Sequence, residues 1–170
     1  MPLIGVSIAV PDPCGPELQR YRVSLGDDEA HLIPTHITLL PPTDLADRHL
    51  DDVVAHLDAA AGSLERFRIH LRGTGTFRPV SPVVFVNVVE GISECELLAK
   101  SVCSGPLEVD LEFPYHPHVT IAHDRPGEIL DRAFDELAGF EREFEVHEFH
   151  LYAFDDGDGW VPERAFRLVE

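Results

Sequence analysis

Apolar and polar positions alternate with period two in several short runs of this chain and with a period near 3.6 in the stretches between them. Leu3 to Val10 and Val83 to Val89 are almost unbroken apolar runs rich in β-branched residues, as buried strands require. Thr35-His36-Ile37-Thr38-Leu39 and Pro117-His118-Val119-Thr120-Ile121 alternate instead. Successive strand side chains point to opposite faces, so His36 and Thr38 share one face while Ile37 and Leu39 share the other, and the second phrase repeats the arrangement. Phe67 to Leu71 and Phe149 to Ala153 read as further strands, each followed by a pair of glycines, and Pro106 to Phe113 and Arg164 to Val169 are additional strand candidates.

Helical spacing fills the gaps. A helix is expected from Glu17 to Leu25 after Pro16, closed by Gly26, and another from Glu94 to Cys103 after a capping box at Ser93, closed by Gly105. Two longer amphipathic helices carry apolar faces at Leu50, Val53, Val54, Leu57 and Ala61, ending at Gly62, and at Ile129, Leu130, Ala133, Phe134 and Leu137, ending at Gly139. Prolines 41 and 42 and Pro126 introduce these helices.

The elements recur. His36 and His118 lie 82 residues apart, and so do Phe67 and Phe149. Each half reads strand, helix, His/Thr strand, helix, strand. The expected architecture is therefore a single bilobal α+β domain over residues 1–170, with repeat units of about 1–80 and 81–170. Antiparallel sheets, outer helices and a central cleft on a pseudo-twofold axis would set the two histidines facing each other.

Composition narrows the partners. A formal net charge of −18 repels polyanions at long range and leaves no counterion release to exploit, which disfavours a groove for long nucleic acid. A small anion in a local pocket stays open. The apolar start lacks a basic leader and is cut by Pro11 and Pro13, so neither a signal peptide nor a membrane span is expected. Three cysteines, Cys14, Cys95 and Cys103, show no metal-type spacing and suggest reduced thiols in a cytoplasm; the chain is separately expected to be a monomer with no membrane partner.

Two imidazoles flanking one substrate can serve as base and acid in a single reaction, and a hydroxyl beside each can hold an anionic oxygen. Hydrolysis of a phosphodiester needs that set and no metal or other cofactor. A rival grouping is His116, His118 and His123, whose imidazoles would suit zinc in a metal-dependent hydrolase. A third reading is a non-catalytic module binding a nucleotide or phosphorylated metabolite. Among the aromatic residues, Tyr115 and Trp160 are the better candidates for stacking on a nucleobase, while Phe85, Phe113 and Tyr152 are expected in the core. The run Asp155-Asp156-Gly157-Asp158 reads as a solvated turn.

The paired phrases Ile33-Pro34-Thr35-His36-Ile37-Thr38-Leu39-Leu40-Pro41-Pro42 and Tyr115-His116-Pro117-His118-Val119-Thr120-Ile121, with the closing stretch from Leu151-Tyr152 through Trp160 to Leu168, resemble the two-histidine (2H) phosphoesterases, in the 2′-5′ RNA ligase and cyclic phosphodiesterase branch. The resemblance implies catalytic roles for His36 and His118 and phosphoryl-holding roles for Thr38 and Thr120. It implies a 2′,3′-cyclic phosphate or related small phosphodiester, a nucleotide or a short RNA end as substrate. His118 is assigned as base toward water and His36 as acid toward the leaving oxygen. Many members carry Arg three residues after the second Thr, where this chain has His123, followed by Asp124 and Arg125. His123 or Arg125 is expected to supply the missing anion contact.

Overall fold

A computed structural model describes residues 3–45 and 49–170. Within them eight strands and four helices follow one another as β1 (Leu3–Ala9), α1 (Cys14–Ser24), β2 (His36–Asp44), α2 (Leu50–Ala61), β3 (Phe67–Thr76), β4 (Val83–Glu90), α3 (Ile92–Val102), β5 (His118–His123), α4 (Gly127–Glu136), β6 (Glu141–Val146), β7 (Glu148–Asp155) and β8 (Gly159–Arg167). The strands form two four-stranded sheets ordered β2-β1-β7-β8 and β5-β4-β3-β6, with every pairing antiparallel. The α+β fold with duplicated sheets is the one expected. None of the described helices is long and apolar enough to cross a membrane.

Sheet membership follows a crossed pattern. The strand that closes the first half, β3, pairs with β4 and β6 in the second sheet, whereas β7 of the second half pairs with β1 in the first. The helices cross as well, since α1 packs against β5 and α3 against β2. One contiguous core results. Ile4, Val6 and Ile8 of the first sheet and Val84, Val86 and Val88 of the second belong to the same buried cluster, as do Leu57, Leu98 and Phe149.

Each sheet ends on a His/Thr strand, β2 in one and β5 in the other, and these two edges pack together at the middle of the molecule. Period-two alternation puts Ile37, Leu39, Val119 and Ile121 in the core at 0–1% exposure, while His36, Thr38, His118 and Thr120 are left part-exposed on the opposite face.

Several local expectations are corrected. Pro41 and Pro42 do not end β2, which runs on to Asp44 through a register shift opposite Ile4 to Val6; an edge strand tolerates prolines because their missing N–H groups face no partner. Helix α1 starts at Cys14, three residues before the expected Glu17, because Pro16 fits in a first helical turn where N–H groups are unpaired anyway. Helix α3 starts at Ile92, capped by Gly91 at φ 95 rather than by Ser93, since the left-handed turn out of β4 demands glycine there. Residues 106–113 are not a strand: a 3-10 turn at Gly105–Leu107 is followed by irregular chain, although Leu107 itself is fully buried. Conversely β6 was not foreseen, and β8 begins at Gly159, five residues before the predicted Arg164.

The β7–β8 hairpin turn is built by Asp155, whose carboxylate accepts the N–H groups of Gly157 and Asp158 at 2.9 and 2.7 Å. The chain then re-enters the sheet through Gly159 at φ +74, where a Cβ would collide with the backbone and side chain of Leu32. Gly159→Ala is therefore expected to destabilise the protein by about 1–3 kcal/mol, from positive-φ strain plus the displaced Leu32. A urea unfolding midpoint equal to wild type would contradict this account of the hairpin.

Candidate active site

The two histidines are held in the same way. His36 Nδ1 lies 2.7 Å from the carbonyl oxygen of Pro34, and His118 Nδ1 lies 2.7 Å from that of His116. A carbonyl can only accept, so Nδ1 carries the proton in both rings and each neutral imidazole keeps its lone pair on Nε2. Burial lowers the pKa of both below the ordinary histidine value, opposed in each case by the carbonyl, which favours the protonated ring. The positive charge of Arg22 adds to the lowering at His36; His116 and His36 add to it at His118.

The threonine hydroxyls divide cleanly. Of the six threonines in the chain, Thr35, Thr43, Thr74 and Thr76 donate their hydroxyls to main-chain carbonyls at 2.6–2.8 Å. Among the described residues no such bond engages the hydroxyl of Thr38 or Thr120, which leaves both free to meet a ligand.

Two recesses open on either side of Thr38. The narrower contains His36 with Ser7, Pro34, Tyr152 and Trp160; the wider contains His118 with Phe77, Leu111, Phe113, Tyr115 and His116. Trp160 lies over Gly5, at ordinary contact distance from where a Cβ would stand. The His118 ring is packed edge-on to Phe77 at 4.9 Å and tilted on Phe85 at 5.2 Å. Gly75 makes this packing feasible, because a Cβ there would overlap the Phe85 ring at 2.6 Å.

Of the residues singled out in the sequence, His36, Thr38 and Trp160 come together in the first recess and His118 and Tyr115 in the second. Tyr115 spends its hydroxyl on the Thr38 carbonyl at 2.7 Å, so only its ring faces the recess; burial pushes its pKa up. Thr120 stays on the His118 face but lines neither recess. His123 and Arg125 line neither recess, contrary to expectation. A register shift at Val84/Phe85 pairs His123 with Val83 and keeps it on the face of Thr120, at the far end of β5 from His118, while Arg125 donates to the Gly26 carbonyl at 3.0 Å. Among the described residues the ligand atoms of His116, His118 and His123 do not come together as a group with metal-compatible spacing. Among the described residues the cluster with metal-compatible spacing is His70, Glu90 and Glu143, on the outer side of the second sheet.

Sequence reasoning missed Ser7, Phe77 and Arg22; Phe85 and Tyr152 are buried as expected, Tyr152 also lining the first recess, whereas Phe113, expected in the core, is 57% exposed on the wall of the second because the segment before β5 joins no sheet. Ser7 carried a usable signal, as the one hydroxyl inside the apolar run of β1; it is 7% exposed and registers directly against Thr38. Arg22 carried none, because a basic residue on a short helix reads as surface, yet it is 8% exposed and paired with Asp27 at 3.5 Å.

A fold built from two crossed halves, with a His/Thr strand at the meeting edge of each, defines a duplicated α+β class, and comparison with known proteins places the chain within it. The profile of the 2′-5′ RNA ligase superfamily matches residues 10–158. A Bacillus thuringiensis (strain Al Hakam) protein named "Putative phosphoesterase" is 30% identical over 147 residues, covering 84% of this chain and 83% of that protein. Among solved structures, TT0787 of Thermus thermophilus superposes with a TM-score of 0.69 at 22% identity over 99% of this chain and 98% of that one. E. coli LigT complexed with 3′-AMP superposes with a TM-score of 0.62 at 20% identity over the whole of both chains. The chain belongs to the 2′-5′ RNA ligase superfamily of two-histidine phosphoesterases.

The Tyr115 hydroxyl ties the segment before β5 to the backbone of β2, so it couples the two halves of the site. Tyr115→Phe is expected to cost about 1 kcal/mol in urea unfolding, the net worth of one hydrogen bond. An unchanged midpoint would mean that the bond contributes nothing to joining the sheets.

Proposed function

We propose that this protein is a metal-independent, cytoplasmic phosphoesterase acting as a monomer, which hydrolyses a 2′,3′-cyclic phosphate or a related small phosphodiester by paired histidine acid and base catalysis. The observation that carries the reading is the matched pair of Nδ1-to-carbonyl bonds, which leaves a bare Nε2 on a histidine of each of the two meeting edge strands. Thr38 and Thr120, with hydroxyls not spent on the protein, are suited to donate to the phosphoryl oxygens. The three thiols are all free, which supports a reducing compartment. Solved LigT complexes with 3′-AMP, NADP+ and ATP support a nucleotide-sized ligand.

Hydrolysis requires one imidazole neutral, to take a proton from water, and the other protonated, to deliver one to the departing alkoxide. The fixed charge of Arg22 disfavours the imidazolium of His36. That argues for His36 as the base and His118 as the acid, the reverse of the assignment taken from the sequence. The phosphoryl group between them is an anion and favours the protonated form of whichever ring it touches.

His36→Ala and His118→Ala should each lower kcat by about 10²- to 10⁴-fold on a 2′,3′-cyclic nucleotide, and near-wild-type turnover by both would sink the mechanism. Because burial holds both pKa values below the usual ~6.5, the bell-shaped pH profile of kcat/KM should peak on the acidic side of that value. Residual activity of His36→Ala should lose the acidic limb and that of His118→Ala the basic limb; the opposite pattern would restore the other assignment. EDTA should leave the rate unchanged, whereas a metal-dependent hydrolase would stop.

A further inference from the structure

In a chain where 26% of residues are charged, none of the described residues lining either recess beside Thr38 is Asp, Glu, Lys or Arg. Among the described residues, three arginines that the sequence or the field at His36 brings to notice are tied elsewhere. Arg78, next to Phe77, donates to the Thr76 hydroxyl and to Asp131 at 3.1 and 2.8 Å; Arg125 is on Gly26; Arg22 is paired with Asp27. Around His118 the wall is apolar and exposed to an unusual degree: Val80 is 71% exposed, Phe113 57% and Leu111 45%. Apolar side chains left open beside a polar centre are the surface that an uncharged ligand would cover.

Resting on the phosphodiesterase reading above, we infer that the substrate's sole negative charge is the reacting phosphodiester itself, and that its substituents are uncharged, the bulkier one lying against Phe77, Leu111 and Phe113. A second phosphate on the substrate would have to be desolvated against these walls with no counter-charge to meet it. It would also enter the field of a chain carrying a net charge of −18. The LigT structures with ATP and NADP+ hold ligands with several phosphates. Among the described residues, the walls here offer such groups no cation.

The test compares kcat/KM on three 2′,3′-cyclic nucleoside monophosphates that differ only at the 5′ position: a free hydroxyl, a phosphate and an O-benzyl ether. The phosphorylated compound should be slower by about 10-fold or more at an ionic strength of about 10 mM. The gap should narrow as salt is raised, and the benzyl ether should match or exceed the hydroxyl. Leu111→Arg should raise kcat/KM on the phosphorylated compound relative to the hydroxyl one. Equal or faster hydrolysis of the phosphorylated compound, at both salt levels, would overturn the inference while leaving the phosphodiesterase reading intact. Absence of turnover on all three would instead overturn that reading; titration calorimetry of the same compounds would then decide the inference, which predicts weaker binding of the phosphorylated one and fails if it binds as tightly.

Discussion

The structure depends on the strict alternation of side chains along two edge strands. Ile37, Leu39, Val119 and Ile121 are driven into a common core, and their burial leaves His36, Thr38, His118 and Thr120 no choice of face. Each fully buried aliphatic residue is worth about 2 kcal/mol in transfer free energy. A one-residue slip of β2 or β5 would bury the imidazoles and expose the aliphatics together. The orientation of the polar residues is therefore enforced by the same energy that holds the sheets together, and requires no separate stabilising interaction. Being at sheet edges, the two strands can also approach each other from different sheets, which strands inside a sheet could not do.

The crossing of β3 and β7 adds a second constraint. Neither half of the chain can complete a sheet from its own residues, since β1 needs β7 and β4 needs β3. The geometry between the two imidazoles is accordingly fixed by a continuous core, to which both sheets and helices α1 to α4 contribute. Tyr115 reinforces it at short range by pinning the segment before β5 to β2. A site assembled in this way is rigid because long-range pairings define it, and such pairings make folding slower than local contacts would.

Much of this was legible beforehand because duplication makes period-two patterns visible: one His-x-Thr is noise, whereas two at matched places in a repeat are not. The parts that were illegible share a cause. Residues 106–113 alternate at Leu107, Val109, Leu111 and Phe113 as a strand would, but they join neither sheet; Leu107 is buried and Leu111 and Phe113 serve the wall of a recess instead. Strand β6 was overlooked for the converse reason. Its Glu-Arg-Glu-Phe-Glu-Val sequence exposes a charged face, as suits an outer edge, and only pairing with β3 reveals it. Arg22 and Phe77 are set in place by tertiary contacts that local pattern does not encode. The departure at His123 was visible, but its placement was not, because the register shift in β5 that turns it onto the face of Thr120 depends on pairing with Val84 and Phe85.

The carbonyl groups that orient both imidazoles have one further consequence. Unlike a carboxylate, a peptide carbonyl brings no negative charge and takes up no proton, so each ring is oriented without being locked into either charge state. Under the proposed acid and base roles, hydrolysis deposits a proton on one ring and withdraws one from the other, and the protein ends each cycle with its two protonation states exchanged. Because the two rings are held alike, that end state is nearly the mirror image of the starting one. That exchanged state is the one from which the reverse step, attack of an alcohol on the phosphate, would have to start, so under these roles a proton must cross between the rings or through water before the next hydrolysis begins.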